Sequence, residues 1–248
     1  ASILFLTFSN TCLSQDKDNE LTKKEKKEGW NLLFDGSTMK GWRYYKNKEG
    51  DGWSVANGEL QCLETGVKKR GDLITNEMYD DFELLIDWKI APKGDSGIYV
   101  RGTPQIQIWE RDTPGNPKRV GSGGLYNNQK NPADPLKWAD HAPGLWNRFR
   151  ILCVGDKVHV FLNDELVVNN VTLENYWDRT QPLFPFGQIE LQAHGSVLYF
   201  RNLYIREING SKQLTKISAG DEVLPGIKAY NAPGHTPGHL VFVLEGPD

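Results

Sequence analysis

From Trp30 onward the chain is written in short apolar runs, each closed by a cluster of Gly, Asn, Asp or Pro. Runs that short do not support a stable helix, whereas apolar and polar side chains in alternation suit strands that bury one face. Asn57-Gly58, Gly155-Asp156 and Asn163-Asp164 fall between runs and supply hairpin turns, because Asn, Asp and Gly accept positive φ. Strands are therefore expected at residues 53–56, 59–63, 72–75, 82–90, 97–101, 105–110, 147–154, 157–162, 165–169, 187–193 and 197–205. Long stretches of Ala, Leu, Glu and Lys are nearly absent, so the fold class is all-β, a sandwich of two antiparallel sheets.

A length of 248 residues allows one large all-β domain or two small ones. Net charge is −3 and the basic residues form no stripe, so no nucleic-acid partner is expected. Of the three cysteines, Cys62 and Cys153 sit in apolar strand-like runs. Their surroundings suit buried free thiols, and nothing in the spacing argues for a disulfide between them.

The two ends read differently from the middle. Residues 1–21 look like the remnant of a leader, an apolar stretch followed by small and polar residues as in a secretory signal. The apolar part is too short to span a bilayer. Cys12 is a candidate for lipidation, with cleavage after Ser14 as the alternative. The expectation is an exported protein, periplasmic or at the outer membrane or beyond, with membrane attachment through a lipidated N-terminus as one form. Thr22 followed by Glu25 has the spacing of a capping box and predicts one or two helical turns. The sandwich is expected over residues 22–207, and residues 208–248 form a linker and a separate segment.

Three strands carry unusual polar faces. Gln188, Glu190, Gln192 and His194 share one side of residues 187–194, with Ile189, Leu191 and Ala193 opposite. Gln105, Gln107 and Trp109 alternate in the same way, and Glu110 at the strand end turns inward only if a bulge intervenes. Tyr99 and Arg101 share a face of residues 97–101, and the turn before them delivers Asp95 to the rim. If these faces meet on one concave sheet they form a polar groove in which amides read hydroxyl groups. Trp42, Trp109, Tyr126 and Trp138 are candidates to stack on a pyranose ring. The irregular residues 111–146 are expected to wall this groove, because a compact domain rarely carries so long a loop without using it.

The run Gly29-Trp-Asn-Leu-Leu-Phe-Asp-Gly36 with Gly41-Trp42 resembles the opening of the 3-keto-disaccharide hydrolase family. Further matches follow in order. They are Asp95-Ser-Gly-Ile-Tyr-Val-Arg101, Gln107-Ile-Trp-Glu110, Gly144-Leu-Trp-Asn147, Phe161-Leu-Asn163, Gly187-Gln-Ile-Glu-Leu-Gln-Ala-His-Gly195 and Phe200-Arg-Asn202. The likeness covers about residues 22–207. It implies a concanavalin A-like jelly roll and a substrate in which a glucose ring carries a ketone at carbon 3.

Such a ketone acidifies the hydrogen at carbon 2, so a base can remove it and the group at carbon 1 leaves by elimination. Addition of water then completes a net hydrolysis. That chemistry calls for a base, an acid and a stabiliser of the enolate oxygen. His194 and Glu110 are the candidates for base and acid, in either order, and Arg101 and Gln192 for the stabiliser. A divalent metal held by Glu110, Glu190 or His194 is an alternative stabiliser, although the sequence shows no closed metal motif. Asp95, Tyr99, Gln107, Trp109, Tyr126, Asn147, Glu190, Gln192 and Trp42 are expected to contact the carbohydrate. A glucanase-type hydrolase is disfavoured, because Gln105 and Gln107 stand where paired carboxylates would be needed. A non-catalytic lectin-like module is the second alternative.

Residues 220–239, ending in Ala-Pro-Gly-His235-Thr-Pro-Gly-His239, resemble part of a metallo-β-lactamase-fold hydrolase. The His-x-His-x-Asp-His cluster is missing, and a single His cannot make a zinc site.

Overall fold

The computed structural model describes residues 17–102 and 104–208, and the backbone of 222–224, 227–231 and 240–244. The first strands are β1 (Asn31–Leu32), β2 (Trp42–Tyr44), β3 (Trp53–Ala56), β4 (Glu59–Cys62) and β5 (Leu73–Thr75). Next come β6 (Phe82–Ile90), β7 (Asp95–Val100), β8 (Gln105–Trp109), β9 (Asn147–Val154) and β10 (Lys157–Leu162). The series ends with β11 (Glu165–Thr172), β12 (Ile189–Leu191) and β13 (Leu198–Glu207). The larger sheet has eight strands in the order β11-β10-β9-β6-β13-β4-β3, with β1 added along β13. The smaller has five, in the order β2-β5-β12-β7-β8. This is the jelly-roll sandwich of two antiparallel sheets that the sequence rhythm predicts.

Alternation explains the layering. On β6, Phe82, Leu84, Ile86 and Trp88 point between the sheets and are fully buried with Phe149, Ile151 and Phe200. Each such side chain contributes about 1.5–3 kcal/mol relative to exposure. Glu83 and Asp87, on the opposite face, are buried too, and the cause is electrostatic. Arg148 lies across from Asp87 and reaches it at 2.5 Å, Arg150 reaches Glu83 at 2.5 Å, and Arg206 also pairs with Glu83. The outer face of the large sheet is therefore roofed by guanidinium groups laid over carboxylates on neighbouring strands.

Asn57 and Gly58 sit at φ 54° and 76°, and Asn163 and Asp164 at 51° and 66°, the left-handed pair of a tight hairpin. Thr22 and Glu25 form the expected capping box in front of a short helix, α1 (Lys23–Lys27). Contacts with the sandwich begin ahead of residue 22. The Asn19 and Asn202 side chains each accept a hydrogen bond from the other's backbone N–H, and Asp18 pairs with Arg201. Sequence reading missed β1 and β2, which are only two and three residues long.

Cys62 and Cys153 are free and buried, and burial pushes their thiols up to about 11 and about 12. Cys12 and Ser14 lie outside the described residues. No described helix is long and apolar enough to cross a membrane. Residues 210–248 form a separate unit. Its described part is three antiparallel strands, β14 (Glu222–Leu224), β15 (Ile227–Asn231) and β16 (Leu240–Leu244). His235 and His239 lie outside the described residues.

Candidate active site

Pairing register in the five-stranded sheet stacks polar residues on one face. Arg43, Ile74, Glu190, Tyr99 and Gln105 stand side by side across β2, β5, β12, β7 and β8. Gly97 is paired with Gln107 in the next row of that face, and the backbone N–H of Gln192 donates to the Gly97 carbonyl. Asp95 is paired with Trp109 one row further. The intervening residues Leu73, Leu191, Ile98 and Ile106 point into the core. Asp95, Tyr99, Gln107, Glu190 and Gln192 thus fall on one surface.

The amides on this face are wired together. Gln105 Nε2 donates to Gln192 Oε1 at 3.0 Å, and Gln192 Nε2 donates to the Tyr99 hydroxyl at 3.3 Å. Gln107 Nε2 donates to Asp95 Oδ1 at 2.7 Å. The absence of a side chain at Gly97 makes this possible, since a Cβ there would stand 2.0 Å from Gln105 Nε2. Asp95 also faces His194, with Nδ1 3.6 Å from Oδ2. The His194 side chain is 57% exposed, so its ring is open to a ligand while one nitrogen faces the carboxylate.

Two acid–base pairs result. Burial raises the Asp95 carboxyl, and His194 and the Gln107 amide pull it back down. Burial also pushes Glu190 up to about 8, helped by a hydrogen bond to Asp72 and by that residue's negative charge. Asp72 is fixed by accepting the Ala193 N–H at 2.7 Å. At neutral pH the Asp72–Glu190 pair holds a proton that an isolated Glu would have lost. Tyr99 is raised as well, first by burial and then by the charges of Glu190 and Asp72, so its phenol stays protonated.

The long loop walls this face as expected. Gly115 packs so near Asp95 that a Cβ would lie 3.0 Å from Oδ2. Trp109 donates its indole N–H to the Gly121 carbonyl and meets the exposed Tyr126 edge to face, with ring centres 5.9 Å apart. Beside Gln107 the loop encloses a hollow of about 300 Å³, lined by Trp109, Asn116, Lys118 and Tyr126.

Four sequence-based assignments need correction. Arg101 is 2% exposed and does not share the face with Tyr99. It takes a left-handed backbone (φ 53°), which ends the alternation of β7. Its guanidinium donates to the Gly155 carbonyl, Asp81 and Cys153 instead. Glu110 faces away as well. No bulge turns it inward, and its carboxylate accepts the backbone N–H groups of Lys93 and Asp112. It shares a separate hollow of about 260 Å³ with Trp138, Asp140 and His141. Asn147 belongs to β9 in the other sheet, where its buried side chain ties His141 to Asn163. Trp42 is a core residue whose indole N–H donates to the Leu33 carbonyl.

Asp72 and Gln105, left out of the sequence-based site, complete the network. The sequence signal for Gln105 was its period with Gln107, whereas Asp72 had none. Among the described residues no group of three or more His, Cys, Asp or Glu is arranged to hold a metal ion.

The profile of a family described as the 3-keto-alpha-glucoside-1,2-lyase-like domain matches residues 29–206, nearly the whole sandwich. The chain belongs to this family. A 3-keto-disaccharide hydrolase of Bacteroides thetaiotaomicron is 23% identical in an alignment 236 positions long, gaps included, that takes in 73% of this chain and 79% of that one. A Parabacteroides distasonis protein with a provisional glycosyl hydrolase assignment superposes with a TM-score of 0.63 at 26% identity, over 78% of this chain and all of its own. A second structure from that organism, also provisionally a glycosyl hydrolase, gives 0.57 at 24%, over 72% and 99%. The family match ends at residue 206 and lends no support to a metallo-β-lactamase segment in residues 208–248.

Proposed function

We propose that the sandwich cleaves the glycosidic bond of 3-keto-glucosides or 3-keto-disaccharides by elimination followed by hydration. The observation that carries this reading is the placement of two differently poised proton carriers, Asp95–His194 and Asp72–Glu190, on one sheet face of a 3-keto-glucoside lyase-like domain. His194 takes the hydrogen from carbon 2, with Asp95 orienting the ring and stabilising the imidazolium that forms. The electron pair moves toward the carbon 3 oxygen, where the Tyr99 hydroxyl and the Gln192 amide donate hydrogen bonds to the enolate. Collapse of the enolate breaks the bond from carbon 1 to oxygen, and protonated Glu190 supplies the leaving oxygen with its proton. Water then adds its oxygen at carbon 1 and gives up one proton to the Glu190 carboxylate, while the His194 imidazolium returns a proton to carbon 2. Tyr126 and Trp109 offer apolar ring surface beside this face for the sugar.

The test offers a 3-keto-disaccharide and its unoxidised parent side by side, in heavy water. The expected result is turnover of the keto sugar alone, with solvent deuterium at carbon 2 of the released ring. Turnover of only the unoxidised sugar would overturn the reading. Cleavage without deuterium would replace elimination by direct hydrolysis. A lectin-like module would bind both sugars and release nothing.

A further inference from the structure

The loop from β11 into β12 carries four large aromatic rings that the chemistry above does not use. Tyr176, Trp177, Phe184 and Phe186 are all exposed, and Trp177 is 63% so. A cluster of this kind is costly to leave in water and marks an interaction site when its shape is fixed. Here it is fixed. The Asn175 side chain, buried, accepts the N–H groups of Trp177 and Asp178 and donates to the Pro182 carbonyl. Arg179 is tied to Glu174 at 2.8 Å and to the Asn127 carbonyl, and it lies over the Tyr176 ring. Tyr176 and Trp177 meet at 69° with centres 5.0 Å apart. The Trp177 indole N–H donates to the Gly102 carbonyl at 3.0 Å, so the polar edge is occupied and the ring faces are what the protein offers.

The cluster lies at the end of β7, the strand that carries Tyr99 of the candidate active site. Gly102 lies just past the end of β7, beyond Tyr99, and Phe184 also approaches it. Tyr176 is near enough to Tyr99 to act on its phenol electrostatically. The segment leads directly into β12, which carries Glu190. A rigid, amphipathic aromatic surface at the rim of a hydroxyl-reading face suits pyranose rings, whose C–H faces stack on aromatics while their hydroxyl groups stay in water.

We propose that residues 175–186 form a distal carbohydrate subsite in which Trp177 and Tyr176 stack on sugar units of an oligosaccharide beyond the two joined by the cleaved bond. The occupant is a glycan chain longer than a disaccharide. This proposal rests on the sugar-cleaving reading of the polar face.

Calorimetric titration of the full chain with unoxidised α- and β-linked gluco-oligosaccharides tests it, comparing a disaccharide with longer members of each series. Affinity is expected to rise with length in one series. In Trp177→Ala the longer chain should lose about five- to tenfold while the disaccharide is unchanged, as expected for one aromatic stacking contact. Trp177→Phe should keep most of the gain, although it too lacks the bond to Gly102. Affinity independent of length in the unaltered protein, or an equal loss for short and long sugars in Trp177→Ala, would overturn the proposal. So would a dimer, seen by sedimentation, that Trp177→Ala dissolves, since the patch would then belong to a second copy. Because the probes are unoxidised, the two readings fail separately. A length effect without turnover of 3-keto sugars sinks the cleavage chemistry alone, and turnover without a length effect sinks the subsite alone.

Discussion

Two carboxyl groups on one face, Asp95 and Glu190, differ through their neighbours. Asp95 has an imidazole and an amide donor, whereas Glu190 has a second carboxyl. Glu190→Gln keeps the shape and removes the transferable proton, so turnover should fall by about 10²–10⁴ while binding of unoxidised sugar stays within a few fold. Full activity of Glu190→Gln would remove it from the mechanism. If the proposed cleavage holds, kcat of the unaltered protein should decline as pH rises through about 8, where Glu190 loses its proton, and a rate profile measures this directly. The same ionisation affects folding. The folded chain holds this proton to about 8 and the unfolded chain releases it near 4.5, so this contribution is complete below about 4.5 and is lost as pH climbs toward 8. Glu190→Gln should therefore melt at a higher temperature than the unaltered protein above pH 8, and the difference should vanish near pH 4.5. A pH-independent difference would contradict the assignment of the proton.

At the scale of a strand, β7 decides what the face presents. Its regular part aims Asp95 and Tyr99 outward, and Gly97 between them leaves a channel for the Gln105 side chain. Gly97→Ala should cost about 1–3 kcal/mol through overpacking and should lower kcat by displacing Gln105 from Gln192. Denaturant titration and kinetics on the same sample check both. An unchanged kcat would mean that the amide network has no part in orienting Gln192. The strand ends where Arg101 enters the left-handed region, and from there the guanidinium pins the turns at Asp81 and Gly155. Arg101→Met should lose about 2–3 kcal/mol by removing the partner of a partly buried Asp81, with kcat per folded molecule preserved. A selective loss of kcat would return Arg101 to the active site.

At the scale of the molecule, the sandwich closes on itself. Among the described residues the buried core runs from Trp30 to Ile205, and the compact unit that holds it ends at Asn209. A chain ending at Asn209 should keep its melting temperature within a degree or two, and its activity unchanged, as differential scanning and kinetics would read. A large drop would make residues 210–248 part of the folding unit. The guanidinium-over-carboxylate roof on the large sheet is a network of partly buried pairs, whose worth depends on geometry rather than on number.

Most strands, the hairpin turns and the capping box could be read from the chain itself, because each depends on neighbours only a few residues apart. The same locality made the polar alternation of residues 105–109 and 188–194 visible, and with it Gln107, Glu190, Gln192 and His194. Other features depend on pairing between distant parts of the chain. The order β5-β12-β7 sets Asp72 against Glu190 and gives that carboxyl its proton, although nothing near Asp72 in sequence points to it. Arg101 matched the period of its strand and was lost to the site when one backbone angle reversed, and Asn147 lies in the opposite sheet. Local sequence sets side-chain alternation over a few residues, whereas a protonation state depends on which charges the completed fold brings within a few ångströms.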